Sequence, residues 1–190
     1  MRELFHRVAN NVLVEFRILR SRYLGGIAER CATFGLTADV FTGLSFVSGI
    51  AAVYFLFDNS LLFFLFGVLH LFFDGFDGVV ARTAKDTRYG AYVDSFNDQF
   101  IATLLLAKMT LVSQNVVLLI LTVLYVFELA IYMISKFRVP MLFVRTFVLL
   151  SLMFQLYTLG IIISGLYILY NLVLLLRYHF TSFHPKKKAI

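Results

Sequence analysis

The 190-residue chain has little of what a secreted or soluble domain uses. It holds one cysteine, two prolines and only 15% charged residues. The single cysteine, Cys31, excludes an intramolecular disulfide and reads as a small residue near an interface. No run of about 20 apolar residues alternates with period two, which excludes a transmembrane barrel in favour of helices. No uninterrupted apolar stretch opens the chain, because Arg2, Glu3, Arg7, Glu15, Arg17, Arg20 and Arg22 break it up, so no signal peptide is expected. No internal repeat is visible.

What is present is apolar. Hydrophobic residues make up 61% of the chain and mean hydropathy is +0.86, against the roughly 45–50% apolar content of ordinary soluble domains. The class is therefore an all-α integral membrane protein with one compact bundle. The net charge of +6 does not point to nucleic acid, because the basic residues gather at the ends of apolar segments as positive-inside charges do.

Residues 1–24 read as an amphipathic juxtamembrane helix. Phe5, Val8, Val12, Phe16 and Leu19 form one stripe and the arginines lie outside it, placed to meet headgroup phosphates. Gly25-Gly26 is expected to break that helix. Thr37 or Asp39 then caps the first span, which runs from about Val40 to Phe57. Asp58-Asn59-Ser60 is a turn. The second span runs from about Leu61 to Thr83, the third from Gly90 to Val112, and the fourth from Val116 to Ser135, with Ser113-Gln114-Asn115 as a further turn.

The apolar run from Met141 to Leu176 is one over-long helix or two helices hinged near Gln155–Gly160. Charge decides for two. With six transmembrane helices both termini share a side with Arg82, Lys85, Arg88, Lys136, Arg138, Arg145, Arg177 and the Lys186–Lys188 tail. All but Lys108 of the 17 lysines and arginines then lie in the cytoplasm, and Lys108 snorkels from the outer end of the third span. The expected layout is an interfacial helix and linker over 1–36, a six-helix catalytic domain over 37–178 and a basic cytoplasmic tail over 179–190.

Four carboxylates interrupt this apolar chain in Asp74-Gly-Phe-Asp77-Gly78-Val-Val-Ala81-Arg82 and Gly90-Ala-Tyr-Val-Asp94-Ser-Phe-Asn-Asp98. Unassisted, each charge in a span costs about 2.5–3.5 kcal/mol, roughly 10–14 kcal/mol for four. At 100° per residue Asp74, Asp77, Gly78, Ala81 and Arg82 share one face of the second span, and Asp94 and Asp98 stack one turn apart on the third. Carboxylates gathered there repel one another unless hard divalent cations neutralise them. The lack of His and Cys in the group argues against a dedicated zinc or copper site. Paired metals suit phosphoryl transfer, with Arg82 complementing phosphate charge. An ion-pair network is the structural alternative, but Arg82 cannot pair with four aspartates.

With its spacing, Asp74-x-x-Asp77-Gly78-x-x-Ala81-Arg82, seven residues, Gly90-x-x-x-Asp94-x-x-x-Asp98 resembles the full signature of the CDP-alcohol phosphotransferase family. Members transfer a phosphatidyl or similar group from a CDP-linked lipid to an alcohol and release CMP. The resemblance implies two Mg²⁺ or Mn²⁺ ions. Asp74 and Asp94 would bridge both, Asp77 would complete one site and Asp98 the other, and Asp98 would also be the general base. It further implies CDP contacts from Gly78, Arg82 and Thr87. The segment Thr37-Ala38-Asp39-Val40-Phe-Thr42 is similar to a nucleotide-binding loop of relatives, with Ala38 in place of their proline. A homodimer in the cell membrane is implied as well.

The basic residues Lys136, Arg138 and Arg145 lie on the same side as the aspartates and suit an acceptor that carries its own phosphate, such as inositol phosphate. The closest look is to phosphatidylinositol-phosphate synthase-like members and their archaeal counterparts, although Gln99 stands where many of those place arginine. Glycerol phosphate and serine stay open as acceptors. Two bystanders read as structural: Glu128, expected to find Lys108, Tyr125 or Tyr132, and His70, a packed or hydrogen-bonded core residue one turn before Asp74. The competing class is a cation-conducting transporter, which glycine or proline breaks at mid-membrane would favour. The second and third spans contain no proline.

Overall fold

The computed structural model describes residues 20–84, 88–134 and 145–183, and side chains over 20–82, 93–134 and 145–176. Among the described residues there are seven α-helices and no strand. They are α1 (20–33), α2 (Ala38–Phe55), α3 (Ser60–Ala84), α4 (Arg88–Ser113), α5 (Val116–Ile134), α6 (Arg145–Met153) and α7 (Tyr157–Phe183).

Four of these, α2, α3, α5 and α7, are long and apolar enough to cross a bilayer, as in a multi-pass membrane protein. Helix α4 is as long, at 26 residues, but carries Asp94, Asp98 and Lys108. Helix α6 has 9 residues, about 14 Å at 1.5 Å per residue, and residues 141–144 before it lie outside the described residues. The stripe of Phe5, Val8, Val12, Phe16 and Leu19 lies outside them too.

Two compact units are distinguished: residues up to Ser48 with Val68–Ser95, and Gly49–Gly67 with Phe96 onward. In the first, Ala28, Ala38, Phe41, Phe76, Val79 and Val80 form a buried cluster, with Leu24, Cys31, Phe73 and Ala81 packed on it. Phe41 and Phe76 meet edge to face at 4.8 Å between centroids. His70 is fully buried; its Nδ1 lies 2.8 Å from the Ser45 carbonyl, and the Ser45 hydroxyl donates to the His70 carbonyl at 3.2 Å. The expected core role for His70 holds.

The expected break at Gly25-Gly26 does not occur: α1 continues through both. Each glycine costs a helix about 1 kcal/mol, and packing of Leu24, Ala28 and Cys31 on the cluster outweighs that. The helix stops instead at Gly35, whose φ is +78°. There Leu36 N–H bonds the Cys31 carbonyl and Gly35 N–H the Ala32 carbonyl, both at 3.0 Å, the Schellman pattern.

In the second unit α7 packs on α5 and α6. The two-helix reading of residues 141–176 is borne out. Leu156 N–H reaches the Ser151 carbonyl at 2.8 Å and Gln155 N–H the Leu152 carbonyl at 2.9 Å, with Gln155 at φ +58°. This is the same stop signal built without glycine, in a backbone region that L side chains enter at a cost. Gln155→Gly is therefore expected to stabilise the protein by about 0.5–1 kcal/mol and Gln155→Val to destabilise it, read as opposite shifts of Tm in detergent. Equal Tm values for both variants would contradict the strain.

The two expected turns are present. Asn59 Oδ1 caps α3 by accepting from Leu62 N–H at 3.1 Å, and Asn115 Oδ1 accepts from Val117 N–H at 2.8 Å. Lys108 turns to Asp58 at 2.9 Å and also donates to the Tyr54 carbonyl. It is thus not the partner of Glu128. Glu128 is fully buried on α5 beside Asn171 of α7, with neither carboxylate oxygen hydrogen-bonded among the described residues, while Tyr125 donates to Gln99.

Candidate active site

Helix α3 is unbroken from Ser60 to Ala84 and α4 from Arg88 to Ser113. The aspartates therefore sit on continuous helices, which removes the structural support for a transporter built on interrupted spans. Their spacing carries the geometry. Asp74 and Asp94 bring carboxylate oxygens within 4.8 Å of each other, and α4 sets Asp98 one turn beyond Asp94. Two carboxylates at that separation repel by roughly 3 kcal/mol at an effective dielectric constant near 20.

Asp77 lies outside this close group. It is three residues after Asp74, so about 60° away around the helix, and it is buried with its Oδ2 accepting from the Thr42 hydroxyl at 3.0 Å. The same hydroxyl lies 3.2 Å from the Ala38 carbonyl, so its one proton is shared between the two acceptors. The last threonine of the Thr37–Thr42 segment is thereby tied to a motif aspartate, a contact not expected from the sequence. Of the rest of the segment, Ala38 is buried, while Thr37, Asp39 and Val40 are exposed on the first turn of α2.

On α3 the bulky residues divide: Phe76, Val79 and Val80 are buried, whereas Phe72 is half exposed. Alongside Val79 the adjoining face carries Gly75 and Gly78, and here a residue outside the expected set comes in. A Cβ at Gly78 would stand 2.8 Å from Nη2 of Arg20, and one at Gly75 3.3 Å from Nη1. Arg20 was expected among the arginines facing headgroups. It faces α3 instead, because α1 runs on through Gly25-Gly26 and puts Arg20 in line with Leu24 and Ala28. Arg82 is exposed, with its Nη1 3.9 Å from the same Cβ position at Gly78.

Arg145 opens α6, is 4% exposed and forms an ion pair with Asp98. Beside them Gln99, also buried, accepts from Tyr125. Thr87, Lys136 and Arg138 lie outside the described residues.

The donor set suits a divalent cation. Asp74 and Asp94 offer only hard carboxylate oxygens, with no thiolate, and His70 one turn before Asp74 is engaged with Ser45. A helical membrane protein with carboxylates gathered on neighbouring helices, beside arginines and a helix face stripped of side chains, has the parts of a phosphoryl-transfer site. The comparisons say which kind. The family described as CDP-alcohol phosphatidyltransferase matches residues 35–183, from the turn before α2 to the end of α7 and including every motif aspartate.

The chain belongs to that family. It is a phosphotransferase of phospholipid biosynthesis that acts on a CDP-alcohol and an alcohol acceptor, and the family depends on a divalent metal. No curated protein and no solved structure matches the chain.

Proposed function

We propose that this enzyme transfers the phosphatidyl group, or its archaeal equivalent, from a CDP-linked lipid to the hydroxyl of a phosphorylated polyol such as inositol phosphate, releasing CMP. The reading follows phosphatidylinositol-phosphate synthase-like members, and one observation carries the acceptor: Arg145 is buried against Asp98. An acceptor that brings a hydroxyl to Asp98 brings its own phosphate to the nearest guanidinium, whose fork matches phosphate oxygens.

In this reading Asp74, Asp77, Asp94 and Asp98 would hold two Mg²⁺ or Mn²⁺ ions. When bound, the ions neutralise charge on the reacting phosphate and on the departing CMP. Asp98 takes the proton of the acceptor hydroxyl as its oxygen attacks the phosphorus that bears the lipid. The bond from that phosphorus to the CMP oxygen breaks, and the electron pair leaves with CMP. Gly78, Arg82 and Thr87, with Thr37, Ala38, Asp39 and Val40, bind the CDP moiety. Lys136 and Arg138 add to the acceptor side.

The setting belongs to the same proposal. Six spans over 37–178 follow an interfacial helix within 1–36 and precede a basic tail from 179. The active site and both termini face the cytoplasm of a multi-pass homodimer.

The test is CMP release by purified protein given CDP-diacylglycerol and, in turn, inositol phosphate, glycerol 3-phosphate, serine and inositol. Activity is expected with inositol phosphate, lost in EDTA and restored by excess Mg²⁺. Turnover with glycerol 3-phosphate or serine instead would overturn the acceptor and leave the reaction standing. No CMP with any acceptor and any divalent ion sinks the whole reading.

A further inference from the structure

Helix α1 meets α3 along one stripe, in which Leu24, Ala28 and Cys31 pack with Phe73, Phe76, Val79 and Val80. One turn before Leu24 the stripe carries Arg20, and there a guanidinium, not an apolar group, continues the contact. Its Nη2 and Nη1 lie 2.8 and 3.3 Å from where Cβ atoms of residues 78 and 75 would be. The head of Arg20 thus fills the space that Gly78 leaves open and lies close over Gly75.

Packing alone does not account for an arginine there. Its Nε is buried and has no hydrogen-bond partner among the described residues, a loss that leucine or methionine in the same cradle would avoid. The α3 carbonyls alongside are already committed to the amides four residues on. Arg82 reaches the same gap, with Nη1 3.9 Å from the Gly78 Cβ position. Two cations from two helices therefore border one gap over a bare helix face. A phosphate group offers Arg20 the acceptor oxygen that its Nε lacks, together with negative charge and a planar match to guanidinium.

We infer that Arg20 is a binding residue for the diphosphate of the CDP-linked substrate, contributed by the N-terminal helix from outside the aspartate motif. The inference rests on the synthase reading and adds a consequence to it: the seating of α1 on α3 sets affinity for the nucleotide.

The experiment compares wild type, Arg20→Ala and Arg20→Lys in detergent, measuring binding of CDP with Mg²⁺, binding of cytidine, and steady-state CMP release. Arg20→Ala is expected to weaken CDP binding on the order of tenfold or more with cytidine binding unchanged. KM for the CDP-lipid rises while kcat changes less than about threefold, and Arg20→Lys recovers part of the loss. If Arg20→Ala destabilises α1, Gly75→Ala serves in its place, because a Cβ there displaces only the end of the arginine and should weaken CDP binding in the same direction. Wild-type CDP affinity in these variants overturns the inference, as does tighter binding, which would make Arg20 a plug of the cradle. Unchanged CDP affinity with weaker attachment to anionic nanodiscs also overturns it and assigns Arg20 to lipid headgroups. In each of these cases a wild type that still releases CMP leaves the synthase reading intact, whereas a wild type that neither binds CDP nor releases CMP removes both.

Discussion

Asp98→Asn is expected to slow CMP release by about 10²–10⁴-fold, the range that a positioned general base contributes, while CDP still binds with Mg²⁺ present. The substitution keeps the side chain's shape and one oxygen. What it removes, in the proposed reaction, is the ability to take a proton from the acceptor hydroxyl, and with it one negative charge. Asp74→Asn and Asp94→Asn provide the contrast, since in the proposed reaction each would strip a shared metal ligand and should weaken nucleotide binding as well as turnover. Single-turnover CMP release, measured beside equilibrium binding of CDP, separates the two effects. An Asp98→Asn enzyme that turns over within about tenfold of wild type would remove Asp98 from the base position, and the acceptor hydroxyl would need another route for its proton.

The aspartate site was legible because charge inside an apolar helix is expensive and helix geometry is rigid. The spacing from Asp74 to Asp77 and from Asp94 to Asp98 determines which carboxylates share a face before any packing is known. The turns at Asn59 and Asn115 were legible for a similar reason, since short polar side chains between apolar runs cap helices locally. What could not be read depended on tertiary contact. Gly25-Gly26 has the composition of a break, yet α1 passes through because its other face is buried on α3. That one difference turned Arg20 from a headgroup-facing residue into a neighbour of Gly78.

Pairings between remote positions were hidden in the same way. Lys108 looked available to Glu128, but the turn at Asp58 claims it, and Asn171 of α7 lies beside Glu128 of α5. The hinge near Gln155–Gly160 was legible, but nothing in Gln155 itself marks its left-handed backbone, which shows only in the fold. The number of spans is the least legible quantity, because α4 trades hydropathy for aspartates and α6 begins on an arginine.

Arg145 is the residue on which stability and catalysis meet, so its removal should have two separable effects. With side chains only 5% and 9% exposed, Arg145 and Asp98 form a buried ion pair. Breaking such a pair by deleting one partner typically costs about 3–5 kcal/mol, because the other charge is left without compensation. Arg145→Met in EDTA is therefore expected to lower Tm on the order of 10 °C. The double variant Asp98→Asn/Arg145→Met, which removes both charges, should recover most of that loss. It should recover no activity. In the proposed reaction Arg145 also receives the acceptor's phosphate, so the single variant should raise KM for inositol phosphate at least tenfold and leave KM for the CDP-lipid within a few-fold. Arg145→Lys keeps the charge but loses the fork, and should fall between the two in acceptor KM. A variant that loses Tm but keeps its acceptor KM would confine Arg145 to holding Asp98 in place, and the phosphate of the acceptor would then have to be read by Lys136 or Arg138. A variant that loses acceptor affinity without losing Tm would mean that the ion pair contributes little to the fold and that Arg145 is held on Asp98 chiefly for the substrate that displaces it.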